Sequence, residues 1–95
     1  MIYYVDIDNT ICITTSADYN LSVPIPSAID KINRLYDEGN TIVYYTARGG
    51  TTKIDWRNLT ERQLRKWGCR YTVLDLSKPQ FDFIIDDKAL KIDEL

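Results

Sequence analysis

The sequence predicts an α/β fold organised around a parallel sheet, and three observations carry that expectation. Short runs of β-branched and aromatic residues alternate with stretches of helical periodicity, the pattern of strand–helix–strand units with right-handed crossovers. The helical stretches are punctuated by glycine, at Gly39 and Gly68, where a left-handed residue ends a helix. Finally, three of the apolar runs deliver a polar or acidic residue at their carboxyl ends, Asp6, Thr46 and Asp86, and parallel sheets bind ligands just beyond those ends.

Taken in order, residues 2 to 7 read as a buried strand, too short and too β-branched for a helix. Residues 11 to 26 are polar, alternate weakly and contain Pro24 and Pro26, which predicts an irregular hairpin or flap. Ser27 is placed to cap a helix whose apolar face is Ile29, Ile32, Leu35 and Tyr36, with Gly39 as its stop. Thr41 to Thr46 forms the second strand and leads into Ala47-Arg48-Gly49-Gly50. A capping box of Thr60 and Gln63, with Leu59 and Leu64 as its hydrophobic staple, predicts a second helix that ends at Gly68. Tyr71 to Leu76 and Asp82 to Ile85 read as third and fourth strands, and the last nine residues favour a short helix.

With 95 residues, the chain is one domain near the lower size limit for an unstapled core. Its composition, 44% hydrophobic and 27% charged, is that of a soluble globular protein. No apolar run approaches the length of a membrane span and no secretory leader is visible, so a cytoplasmic location is expected. The chain has no histidine, which excludes Ser-His and Cys-His nucleophile systems and leaves carboxylates and lysine to move protons. Cys12 and Cys69 lack ligand spacing and read as small buried apolar residues. The net charge of −2 argues against bulk binding of nucleic acid. Basic residues do crowd between Arg48 and Arg70, and Arg48, Lys53 and Arg57 precede the second helix, where they are placed to meet an anionic substrate.

The acids carry the chemistry. Asp6-Ile7-Asp8-Asn9-Thr10 follows the first strand, and Asp86-Asp87 follows Phe83-Ile84-Ile85. Two carboxylates about 4 Å apart repel by roughly 4 kcal/mol at an effective dielectric of about 20, so a site that gathers both pairs needs a cation. Between them in sequence stand Thr46, after the second strand, and Lys78, shortly before the fourth.

In order and placement, Asp6/Asp8, Thr46, Lys78 and Asp86-Asp87 resemble the four motifs of the haloacid dehalogenase superfamily of phosphatases, over nearly the whole chain. Within it, Tyr45-Thr46-Ala47-Arg48-Gly49 and Ile85-Asp86-Asp87-Lys88 look like small phosphatases of bacterial capsule or sugar biosynthesis. The resemblance implies a Rossmann-like three-layer sandwich with a mainly parallel sheet of four strands, a short flap and no cap domain. It implies that Asp6 is the nucleophile that becomes an aspartyl-phosphate, and that Asp8 is the acid and then the base. Thr46 and Lys78 would hold the phosphoryl group, with Ile7, Asn9, Ala47 and Arg48 contributing phosphate contacts. For Arg48, a loop-bracing role stays open beside a substrate contact. Mg²⁺ would be bound by Asp6, the Asp8 carbonyl and Asp86 or Asp87, Asp87 being favoured as the direct ligand. The expected substrate is a small phosphorylated sugar or related metabolite, with a homo-oligomer supplying a lid. A nucleotide or polynucleotide terminal phosphatase is the alternative, and a phospho-acceptor or non-catalytic phosphate-binding module is the alternative of another class.

Overall fold

Three parallel strands, β1 (Ile2–Val5), β4 (Thr41–Tyr45) and β5 (Val73–Asp75), form the sheet in the order β1-β4-β5. The computed structural model describes residues 1–50 and 54–95. Tyr3 pairs with Ile42, and Tyr44 with Leu74. Two further strands, β2 (Cys12–Ile13) and β3 (Val23–Pro24), pair antiparallel as a small separate hairpin over the flap region.

Helix α1 (Pro26–Asp37) connects β1 to β4, and α2 (Arg57–Lys66) connects β4 to β5. Both stop as the glycines dictate. Gly39 has φ +95° and Gly68 φ +74°, and Asn40 and Cys69 send their N–H groups back to Leu35 and Leu64 to close each last turn. The starts differ from the sequence reading. Helix α1 begins one residue before Ser27 because Pro26 takes the first helical position, where its missing N–H costs nothing. Helix α2 begins at Arg57 after Trp56, so Thr60 and Gln63 lie within it and no capping box forms.

Side chains alternate across each strand, and one face of the sheet takes nearly all the packing. Val5, Ile42, Tyr44 and Leu74 join Ile29 and Ile32 of α1 and Leu64 of α2 in one core cluster. Two right-handed crossovers moving the same way across a sheet place their helices on the same side. The described residues therefore make two layers, a three-stranded sheet and two helices on one side of it, and no third layer is seen among them. On the open face lie Ile2, 68% exposed, Tyr4, 63% exposed, and Val73. Tyr4 and Tyr45 meet there edge to face at 5.2 Å.

The two helices are tied by one buried amide. Asn33 donates from Nδ2 to the Gly68 carbonyl at 2.9 Å and accepts the Arg70 N–H at 2.8 Å, so both polar ends of a buried side chain are satisfied. The adjacent Arg70–Asp37 pair, at 2.7 Å, is solvent-exposed and worth little.

The expected fourth strand is absent from the described residues: residues 82 to 85 have no strand partner. Phe83 is 88% exposed and Ile85 99%. The chain returns to the core only at a 3-10 turn, Ile92–Glu94, where Ile92 packs against the cluster and its carbonyl accepts from Lys31 at 3.4 Å. The short C-terminal helix of the sequence reading is this single turn.

Two predictions follow from the packing. Ile32, 1% exposed, should lose about 2–5 kcal/mol of stability as Ile32→Ala, read from urea unfolding, because the site cannot collapse around the deleted carbons. Burial pushes the Cys69 thiol from 9.0 up to about 11, and burial likewise raises Cys12. Because the folded value is the higher one, the Cys69 contribution is fully present below pH 9.0 and lost as pH rises through about 11. The fall in stability over that window should be shallower in Cys69→Ala than in the parent.

Candidate active site

Val5 is the last residue of β1, and the next three residues keep the strand's alternation: Ile7 is fully buried, while Asp6 and Asp8 face the other way. The chain then turns sharply. The N–H groups of Thr10 and Ile11 both return to the Ile7 carbonyl, and Asn9 adopts φ +61°, a left-handed conformation that asparagine tolerates. Its Oδ1 accepts the Thr14 N–H at 3.0 Å and so joins the acidic loop to the hairpin.

Asp6 is the open member of the pair, with its side chain one-third exposed. Lys78 Nζ lies 3.1 Å from Oδ1, and Thr10 donates its hydroxyl to Oδ2 at 3.1 Å. Lys78 reaches this position because its N–H bonds the Thr46 carbonyl at 3.2 Å, while the Thr46 N–H bonds the Asp75 carbonyl at 2.9 Å. The ends of β4 and β5 are thereby tied over β1. Thr46 is buried, and its Oγ1 accepts the Arg48 N–H at 3.2 Å. Among the described residues its own hydroxyl proton has no acceptor, so it remains able to donate. Asp6, Ala47, Lys78, Pro79, Gln80 and Phe81 line an open cavity of about 340 Å³. A larger groove of about 630 Å³, near Pro24, Asn33 and Trp67, contains none of the candidate catalytic, phosphate-binding or metal-binding residues. The Asp6 cavity is the candidate site because the chemistry is there.

Asp8 is held differently. Arg48 grips it with two parallel bonds, Nε to Oδ2 at 3.0 Å and Nη2 to Oδ1 at 2.8 Å, the bidentate geometry that only arginine provides. Oδ1 also accepts the Thr14 hydroxyl at 2.7 Å. Nη1 of Arg48 donates to Thr60 Oγ1 at 3.1 Å and to Gln63 Oε1 at 2.6 Å. The Tyr19 ring lies 4.6 Å from the guanidinium and meets Trp56 edge to face at 5.0 Å. Gln63 completes the network by donating to the Tyr19 carbonyl at 2.6 Å.

Of the two roles left open for Arg48, bracing a loop and touching phosphate, its side chain is placed for the first. Its side chain is fully buried, and it braces Asp8 instead of facing the cavity. Thr14, Thr60 and Gln63 were missed as parts of the site; the Thr60/Gln63 spacing signalled a cap, whereas inside a helix the same spacing puts both residues on one face. The loop that carries Arg48 depends on Gly49, whose φ is +85° and whose missing side chain leaves room for the Ile54 carbonyl, 2.5 Å from where a Cβ would stand. Arg57, also expected to meet substrate, pairs with Glu61 at 3.3 Å and donates to the Leu74 carbonyl at 3.1 Å. Lys53 lies outside the described residues.

Asp86 and Asp87 stand on the exposed segment. The Lys88 N–H, bonded to Asp86 Oδ1 at 2.9 Å, and the neighbouring Asp87 hold the Asp86 carboxyl below its usual range, so it is charged at neutral pH. The structure does not bring this pair to Asp6: among the described residues no three acid or thiol side chains lie close enough to hold a metal ion. Nor is any helix among them long and apolar enough to cross a membrane.

No family model matches the chain, and no curated protein matches it. Among solved structures, it is similar to the crystal structure of a Vibrio cholerae structural-genomics target, at 26% identity and a TM-score of 0.87, over 98% of this chain and 85% of the other. That likeness supports the small α/β architecture and names no activity.

The Arg48–Asp8 clamp yields a prediction. Arg48→Met leaves Asp8 without its partner and Thr60 and Gln63 without a donor, so stability should fall by about 3–5 kcal/mol in chemical denaturation. Asp8→Asn in the same background should cost less than it does alone, since contacting residues are not additive.

Proposed function

We propose that the chain is a phosphomonoester hydrolase of the haloacid dehalogenase kind, acting on a small phosphorylated sugar or related metabolite through an aspartyl-phosphate. The observation that carries this reading is the charge arrangement at the cavity: an accessible Asp6 held between Lys78 and Thr10, with Lys78 placed there by its N–H bond to the Thr46 carbonyl.

The residues divide the work as follows. A substrate phosphate in the cavity meets the Lys78 ammonium and the Thr46 hydroxyl, which stabilise charge on its non-bridging oxygens. An Asp6 oxygen attacks phosphorus as the ester P–O bond breaks, forming the aspartyl-phosphate, and the departing alkoxide takes the proton that Asp8, ionised at rest, takes up from solvent as the substrate binds. Asp8 then removes a proton from water, whose oxygen attacks phosphorus, releasing inorganic phosphate and restoring Asp6. Within Asp8 the two oxygens are unequal. Oδ1 is occupied by Arg48, Thr14 and the Cys12 thiol, whereas Oδ2 takes only Arg48 Nε. With a second lone pair open, Oδ2 is the oxygen that carries the transferred proton.

Mg²⁺ is the cation that the resemblance implies. As one chain lies, its acidic donors do not fit that ion, because Asp86 and Asp87 are not gathered with Asp6. The small-substrate reading is favoured over a nucleic-acid terminus by the fate of the basic stretch, since Arg48 is buried on Asp8 and Arg57 is engaged by Glu61 and Leu74.

Purified protein with Mg²⁺ should release phosphate from members of a broad monoester panel, and Asp6→Asn should reduce turnover by at least about a thousandfold through loss of the nucleophile. Release of no phosphate from any ester by the parent protein would overturn the reading. An Asp6→Asn variant as active as the parent would remove Asp6 as nucleophile while leaving the class intact. Lys78→Met should lower kcat/KM by about a hundredfold or more, the loss of a charged contact to the transferring group.

A further inference from the structure

The residues expected as a fourth strand cannot reach β1 as its parallel neighbour within one chain, and the reason is connection length. A parallel crossover needs a dozen or more residues, and only residues 76 to 81 separate β5 from Asp82. The middle of that connection is also pinned at the wrong end of the sheet. Lys78 is bonded to the Thr46 carbonyl and to Asp6, and the Phe81 ring lies 5.3 Å from Lys78 Nζ. From Lys78 to Asp82 the chain spans at most about 14 Å when fully extended, and the rise of about 13 Å from Asp6 back to Ile2 together with a sideways step of about 4.8 Å would use all of it, leaving no residue to reverse the chain into the strand. An antiparallel approach is sterically free, but it would carry Asp86 and Asp87 towards the end of β1 opposite Asp6.

Two surfaces are left without partners. The outer edge of β1 has no strand against it among the described residues, with Ile2 and Tyr4 exposed beside it. Phe83, Ile84 and Ile85, 88%, 62% and 99% exposed, stand on an arm anchored at both ends, at Lys78 and at Ile92. An apolar edge beside an apolar extended segment is a strand-pairing liability unless something covers it.

We propose that two copies of this chain exchange these arms, each laying residues 82 to 85 parallel to the other's β1 and delivering Asp86 and Asp87 to the other's Asp6. A two-fold arrangement makes both exchanges at once. The register that levels Asp86 with Asp6 sets Phe83 and Ile85 beside Tyr3 and Val5, on the helix-bearing face, and Ile84 beside Tyr4 on the open face. The two most exposed apolar side chains of the arm are then the two that meet the core. The metal-binding role of this acidic pair, and with it the parallel direction of the arm, rests on the phosphatase reading; the exchange itself rests on the connection length and on the two uncovered apolar surfaces.

The test separates the two. A Tyr4→Cys chain refolded together with an Ile84→Cys chain should give, on oxidation, a disulfide-linked species of twice the chain mass, and sedimentation of the parent should show a dimer or a multiple of it. Of the native thiols Cys12 is buried and Cys69 partly buried, and burial raises both above their ordinary range, so they are poor competitors. Monomeric sedimentation, or an intrachain disulfide in the Tyr4→Cys/Ile84→Cys double variant, would overturn the exchange. For the site, Asp6→Asn refolded with the Asp86→Asn/Asp87→Asn variant should regain about a quarter of parental turnover, since half of the dimers are mixed and each has one intact site of two. No recovery beside an active parent would show that the acids act within their own chain and overturn their delivery in trans. An inactive parent would remove the phosphatase reading, and the cross-link and sedimentation would still decide the exchange.

Discussion

The site depends on one buried cation. Arg48 lies wholly inside the protein, where an unpaired guanidinium would be prohibitively costly, and its environment is built to pay that cost. Asp8 takes two of its donors, and Thr60 and Gln63 take the Nη1 end. These partners come from the loop after β1 and from the face of α2, while Tyr19 supplies an aromatic surface from the 3-10 turn of the hairpin. Three separate parts of the chain are fixed to one another through a single side chain. The clamp therefore sets the direction of Asp8 and holds the hairpin over the loop. A lysine would keep the charge but not the planar fork that does both.

The two acids of the loop consequently have different freedoms. Asp8 is committed to a buried, fivefold-donating partner, which suits a group that must present one oxygen in one direction. Asp6 is held by the end of a lysine and by one hydroxyl, both of which can shift towards an incoming phosphate. Exposure and pairing thus separate two identical side chains, two residues apart on the same face of the chain, into a loosely held one and a fixed one.

Most of the sheet and both helices were legible in the sequence because their signals are local. Apolar runs, helical periodicity and the glycines at Gly39 and Gly68 act within a few residues, and the elements form where those signals lie. The Asp6–Lys78 contact was legible only through the order of motifs, since nothing local joins residues so far apart. The role of Arg48 was not legible. An arginine in a glycine-bearing loop looks the same on the surface or buried, and what decides it is a face of α2 that the Thr60/Gln63 spacing disguised as a cap. The fourth strand failed for a different reason. Phe83-Ile84-Ile85 has the composition of a strand, but pairing is a property of connections as well as residues, and the six residues after β5 are too few.

Charge balance gives the arm its significance. Four acids in one place would demand a cation, yet this chain balances the first two internally, Asp6 with Lys78 and Asp8 with Arg48. A single chain thus presents a near-neutral site with little need of a metal ion. A dianionic phosphate brought to it adds two negative charges that one lysine, already paired, cannot offset. In the proposed exchange, Asp86 and Asp87 of a second copy would add two more, and the sum would be a strong electrostatic demand for a divalent cation. On that proposal metal affinity would be a consequence of assembly: the same exchange that covers the edge of β1 would create the negative charge that recruits the ion.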